Sequence, residues 1–117
     1  MEGLAYHTID KRPWGNFEQF THNEQTTVKI ITVDALAKLS LQTHDRRGEF
    51  WRIISGSGIA TVGQEQHNAK TGDSFFIPTH AQHRMEAGPE GVVFMEIAFG
   101  EFDENDIIRI EDAYGRS

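Results

Sequence analysis

Gln42 and His44 stand two positions apart in the run Leu39-Ser40-Leu41-Gln42-Thr43-His44. On a strand that spacing turns both side chains to one face, with Cα atoms roughly 6–7 Å apart. A corner at Arg46-Arg47-Gly48 follows, after which Glu49, Trp51 and Ile53 share a face of the returning strand. His83 closes the run Gly72-Asp73-Ser74-Phe75-Phe76-Ile77-Pro78-Thr79-His80-Ala81-Gln82-His83 and brings a second imidazole from a third strand. An amide oxygen, two imidazoles and a carboxylate form an N/O shell suited to zinc, nickel, manganese, cobalt or iron. The bland alternative is a cluster of polar side chains satisfied by one another's hydrogen bonds. Gln42 is the weakest ligand of the four, since an amide serves as well to hydrogen-bond a neighbouring ligand.

The elements that must position these groups are short strands. A polar arm at 1–13 ends at Pro13, and a turn leads into a strand over 14–20. Residues 26–33 are rich in β-branched side chains and form the clearest early strand. Residues 34–38 are a loop, and strands follow at 39–44 and 49–55. Gly56-Ser57-Gly58 reads as a tight connection, and 59–63 with 64–70 as a hairpin. A strand over 74–77 halts at Pro78, which cannot donate to a sheet ladder. Strands over 82–87 and 92–99 flank a turn at Gly88-Pro89-Glu90-Gly91, and an acidic loop at 100–106 precedes a strand over 107–110. Many short strands, Gly-rich turns and no helical pattern predict an all-β sandwich or barrel. Trp14 and Trp51 are expected in the core, and His7, His22 and His67 in solvent, with His80 at the rim.

The chain has 117 residues, enough for one core and too few for two. Its net charge of −7 lacks the basic balance of a nucleic-acid binder. Without cysteine there is no disulfide, thiolate nucleophile or cysteine-held metal. The first residues show no basic region before an apolar run, and the longest apolar run, Val92 to Phe99, is interrupted by Glu96. The expectation is a soluble, cytoplasmic chain with no membrane partner.

The two opening runs resemble the paired signatures of the cupin superfamily. The first signature holds histidine and then glutamate. The second holds glycine, five residues, proline and then histidine, a spacing kept by Gly72, Pro78 and His83. More narrowly, the chain resembles the cupin domain of type II phosphomannose isomerases, often found in enzymes that also carry a mannose-1-phosphate guanylyltransferase domain. The resemblance begins at Arg12-Pro13-Trp14-Gly15 and covers about nine-tenths of the chain. It includes Lys29 to Val33, Arg47 with Glu49 and Trp51, His83-Arg84, Glu96, Asp106-Ile107-Ile108-Arg109 and Tyr114-Gly115-Arg116. It implies one jelly-roll-like β-barrel domain over 1–117, with the arm at 1–13, the barrel over 14–110 and a tail at 111–117. It also implies a metal in the barrel mouth, zinc first, on Gln42, His44, Glu49 and His83.

Departures are local. Asp45, Arg46 and Phe50 stand where the isomerase-type sequences have histidines, and Ala98 where they have glutamine. They bear on activity and substrate more than on fold. The guanylyltransferase part is not covered, so nucleotide-sugar synthesis is not implied.

An aldose–ketose isomerase needs a polarised carbonyl, a base that moves a proton between C1 and C2, and cations for the phosphate. Glu96 is the candidate base, opposite an apolar face of Val93, Met95, Ile97 and Phe99. Solvent or a partner subunit is its other possible surrounding. Lys29, Arg109 and Arg116 match family positions for the phosphate, with surface ion pairs as the alternative. Arg47 is expected to pair with a nearby carboxylate, and Arg84, next to His83, to point outward. The function implied is interconversion of mannose 6-phosphate and fructose 6-phosphate. A non-catalytic sugar-binding or regulatory cupin is the second reading, and an epimerase or oxygenase the third. Barrel edges and the N-terminal arm suggest a homodimer.

Overall fold

Two long strands, each serving two sets of neighbours, build the barrel. The computed structural model describes residues 3–115 and contains strands β1 (Thr8–Arg12), β2 (Gly15–Gln19), β3 (Thr26–Val33), β4 (Leu41–Thr43), β5 (Glu49–Val62), β6 (Glu65–Lys70), β7 (Ser74–Ile77), β8 (His83–Phe99) and β9 (Ile108–Glu111). No helix forms among the described residues. β5 and β8 pair antiparallel along most of their length. The first part of β5 takes β7 on its other edge and the last part takes β6. β8 likewise takes β4 at His83 and β3 along 92–99, and β9 adds to β4. All pairings are antiparallel, and the sheet curls into the expected jelly-roll-like barrel.

Two expected turns are bends within strands. Gly56-Ser57-Gly58 lies inside β5 and Gly88 to Gly91 inside β8, with register shifts between Ile53 and Ser55 and between Gly56 and Gly58. A Cβ at Gly58 would collide with the carbonyl of Glu86, and one at Gly56, whose φ is +77°, with that of Gly91. Glycine here allows close passage of two bent backbones rather than chain reversal, which is why a turn signal marks a bulge.

The arm is also structured. β1 and β2 form a separate two-stranded hairpin turning at Pro13-Trp14. Trp14 sits at its tip and is 72% exposed, against the expectation of a core position. Arg52 on β5 grips the hairpin with a bidentate pair to Glu18, at 2.9 and 2.8 Å. His7 adds a 2.6 Å contact to the same carboxylate and is therefore partly buried instead of free in solvent. These hydrogen bonds from Arg52 and His7 hold the Glu18 carboxyl down at about 2.

The barrel interior packs Trp51, Ile53, Ile77, Met85, Val92 and Phe94. A second cluster, Leu4, Phe50 and Ile97 with Phe20, Phe76, Met95 and Phe99, covers the outer face under the N-terminal segment. Apolar cover on both sides explains the nearly continuous apolar run of β8.

Candidate metal centre

Strand register brings the four candidate ligands together. Gln42 on β4 lies directly opposite His83 on β8, so their side chains share a face. Glu49 on β5 pairs with Ala98 on β8, and His44 follows the end of β4. His44, Glu49 and His83 are buried, and one donor atom from each lies within 4.8 Å of the others. His44 Nε2 is 3.3 Å from Glu49 Oε2, and His83 Nε2 is 3.7 Å from Glu49 Oε1. Donors sharing a tetrahedral ion at about 2.0–2.2 Å would stand about 3.4 Å apart.

Both imidazoles are held by their far nitrogens. His44 Nδ1 is 2.6 Å from the Asp106 carbonyl oxygen, and His83 Nδ1 is 2.9 Å from that of Ala81. A carbonyl oxygen only accepts, so each Nδ1 carries the proton and each Nε2 presents its lone pair. Burial pushes the His83 pKa down, more than the Glu49 charge raises it, and this favours the neutral, ligating form. His83 Nε2 has no hydrogen-bond partner although it is buried. Such an orphaned atom, beside a second lone pair and a carboxylate, fits a divalent metal.

Burial alone would raise the Glu49 carboxyl, but the hydrogen bonding and positive charge around it, the Arg47 guanidinium included, hold it down at about 2. Trp51 Nε1 also donates to Glu49 Oε1 at 3.1 Å. Arg47 makes the expected pairing with a nearby carboxylate: its Nε donates to Glu49 Oε2 at 3.1 Å. Asp106, which sequence reasoning missed as a site residue, accepts the backbone N–H groups of Asp45 and Arg46 at 2.8 and 3.0 Å. Burial opposes its ionisation, but those two bonds hold its carboxyl below the usual range. No local spacing announces Asp106, because its partners lie some sixty positions upstream.

The candidate base and cations take three different places. Glu96 faces inward, buried, in one row with Lys29 on β3 and Trp51 on β5. Burial pushes its carboxyl up to about 7, with the Glu49 carboxylate adding to the rise and Lys29 opposing it. Lys29 Nζ is 3.3 Å from Glu104 and lies over the Phe102 ring at 4.2 Å. Arg109 on β9 lies opposite Gln42, so His83, Gln42 and Arg109 form a row across three strands. Arg116 lies outside the described residues.

Of the departures from the family pattern, Ala98 sits beside Glu49, Arg46 is exposed on the lip with Asp103, and Phe50 packs in the outer cluster away from the site. His80 is exposed at the rim, 3.7 Å from Asp45. Arg84 does not point into solvent: it is buried and donates to the Leu39 carbonyl at 3.1 Å and to Glu111 at 3.3 Å. The reason is that Leu39, on the approach to β4, and Glu111, at the end of β9, reach over the Arg84 side chain.

The chain matches the mannose-6-phosphate isomerase C-terminal family over residues 2–112. It is 36% identical over 115 residues to the xanthan biosynthesis protein XanB of Xanthomonas campestris pv. campestris, covering 97% of this chain and 25% of that one. It is 35% identical over 107 residues to the mannose-1-phosphate guanylyltransferase ManC of Salmonella typhimurium, covering 90% and 22%. The chain therefore spans about a quarter of the length of these curated relatives. Among solved structures, the capsular polysaccharide assembling protein CapF of Staphylococcus aureus superposes with a TM-score of 0.68 at 17% identity, over 93% of this chain and 34% of that one. That likeness is one of fold.

Proposed function

The chain belongs to the mannose-6-phosphate isomerase C-terminal family, and from that membership and the donor geometry we propose a metal-dependent sugar-phosphate isomerase that interconverts mannose 6-phosphate and fructose 6-phosphate. The observation that carries this reading is the buried His44–Glu49–His83 set, with the unpartnered Nε2 of His83 aimed into it and Glu96 on a neighbouring interior row. His44, Glu49 and His83, with Gln42 beside His83, are the residues that would hold the ion. When bound, the ion polarises the substrate carbonyl.

The other roles fall to the chain's own side chains. Glu96, with a pKa of about 7, takes a proton from one of C1 and C2 and returns it to the other, since near neutrality both its forms are populated. Trp51 and Arg47 orient the Glu49 carboxylate. Lys29 and Arg109 stand on either side of the interior as cations for the phosphate. On this reading residues 1–117 act as one cytoplasmic cupin domain. Its partner is a second copy of itself, because β3 pairs only with β8 among the described strands and exposes Val28 and Ile30. Sedimentation velocity checks the last point, and a strictly monomeric chain would refute it.

A non-catalytic sugar-binding cupin is the second reading, favoured by the Arg47 guanidinium resting on two of the donor atoms. Turnover of mannose 6-phosphate by the purified chain, with zinc, nickel, manganese or cobalt added and again after chelation, separates the two. Metal-dependent turnover supports the isomerase, and a folded, metal-loaded chain without turnover supports the binding protein.

A further inference from the structure

Arg47 does more than neutralise Glu49. Its Nε donates to Glu49 Oε2, while its Nη2 lies 3.3 Å from His44 Nε2. The His44 proton is committed to the Asp106 carbonyl through Nδ1, so Nε2 receives the Arg47 N–H on its single lone pair. A carboxylate oxygen can serve two partners, but an imidazole nitrogen can serve only one. A metal ion and the guanidinium therefore compete for the same electron pair on His44. The guanidinium cannot resolve the competition by losing its proton, and two cations a few ångströms apart in a buried site repel.

Arg47 is also tied to the acidic loop at 100–106. Its Nη1 donates to the Asp103 carbonyl at 3.2 Å, and its guanidinium stacks over the Phe102 ring at 4.5 Å. Lys29 also lies over the Phe102 ring and pairs with Glu104. Asp103 in turn holds Arg46 at 2.8 Å through its carboxylate. Glu101, Asp103 and Arg46 line a recess at this lip.

We propose that Arg47 is a built-in competitor for the metal, and that metal loading shifts its guanidinium off His44 and so loosens the loop at 100–106 through Phe102 and Asp103. The inference rests on the metal-site reading above. It makes Arg47 a residue that sets metal affinity and couples it to the cover of the barrel mouth.

The test is zinc binding by isothermal titration calorimetry to the chelated, full chain, with Arg47→Gln and Phe102→Ala beside the parent. Removing a charge-assisted competing bond should tighten zinc binding in Arg47→Gln by about tenfold or more. Phe102→Ala, which removes one anchor of Arg47, should tighten it by a smaller factor. Hydrogen exchange across 100–106 should speed up when zinc is added to the parent and be insensitive to zinc in Arg47→Gln. Equal zinc affinity in parent and Arg47→Gln overturns the proposal while leaving the metal site standing. Weaker binding by a folded Arg47→Gln does the same and makes Arg47 an orienting group for Glu49. Zinc binding by neither chain removes the metal site and the proposal together. Should Arg47→Gln fail to fold, Phe102→Ala decides: unchanged affinity and unchanged loop exchange overturn the proposal.

Discussion

At the scale of single residues the site is a set of buried polar atoms whose partners fix their protonation. His83 is neutral, with its Nδ1–H on the Ala81 carbonyl and its Nε2 unpartnered. His83→Ala should lower zinc affinity by about a hundredfold or more while leaving the far-ultraviolet spectrum of the barrel unchanged, as measured by calorimetry and circular dichroism. Glu96 is the opposite case, an acid held up at about 7 by burial. A carboxyl whose folded pKa lies above its unfolded value binds its proton more tightly in the fold, so stability declines as pH rises from 4.5 through about 7. Glu96→Gln should therefore unfold at higher urea than the parent at pH 8 in chelator, with little difference at pH 4. The same variant should lose about a hundredfold or more in kcat for mannose 6-phosphate with KM little changed. A stabilised variant with normal turnover would leave Glu96 a buried acid without a catalytic part.

At the scale of elements, the bends in β5 and β8 and the docking of the β1–β2 hairpin decide what faces the interior. Gly58 passes close to the backbone of β8, so Gly58→Ala should cost about 2 kcal/mol or more in urea unfolding, because the obstruction is a carbonyl and not a movable side chain. The hairpin is held by Glu18 on Arg52 and His7. A carboxyl depressed from 4.5 to about 2 contributes stability that is fully present above pH 4.5 and lost as pH falls towards 2. Glu18→Gln should make the hairpin's hydrogen exchange faster at pH 7 and flatten its dependence on pH between 5 and 2, where the parent loses protection.

At the scale of the whole molecule the barrel carries unfavourable terms inside it: a buried Glu49 and Glu96, two histidines and a guanidinium. An ion that binds the folded state alone lowers that cost by mass action. Zinc at a hundredfold excess over its Kd should add about 2.7 kcal/mol. For a chain of this size that raises the thermal midpoint by roughly 5 °C or more, a shift that chelation should reverse. A midpoint indifferent to zinc, nickel, manganese and cobalt would argue that the cluster is held by its hydrogen bonds alone.

Spacing alone determined much of the candidate ligand set. Gln42 and His44 at two positions, and Glu49 with Trp51 at two more, share faces because a strand alternates sides whatever surrounds it. The same alternation set Glu96 against Val93, Met95, Ile97 and Phe99. What alternation cannot supply is which face becomes the interior, or which distant segment arrives there. Only the tertiary structure turned Glu96 inward beside Lys29 and buried Arg84 against Leu39 and Glu111. It also sent Phe50 to the outer cluster and brought Asp106 and Phe102 over the site. Glycine signals were read as turns for a related reason: the freedom that reverses a chain also lets two backbones pass closely at a bulge, and only the neighbouring strand decides between them. Strand periodicity is written in adjacent residues; burial and partnership are properties of segments that meet from far apart in the chain.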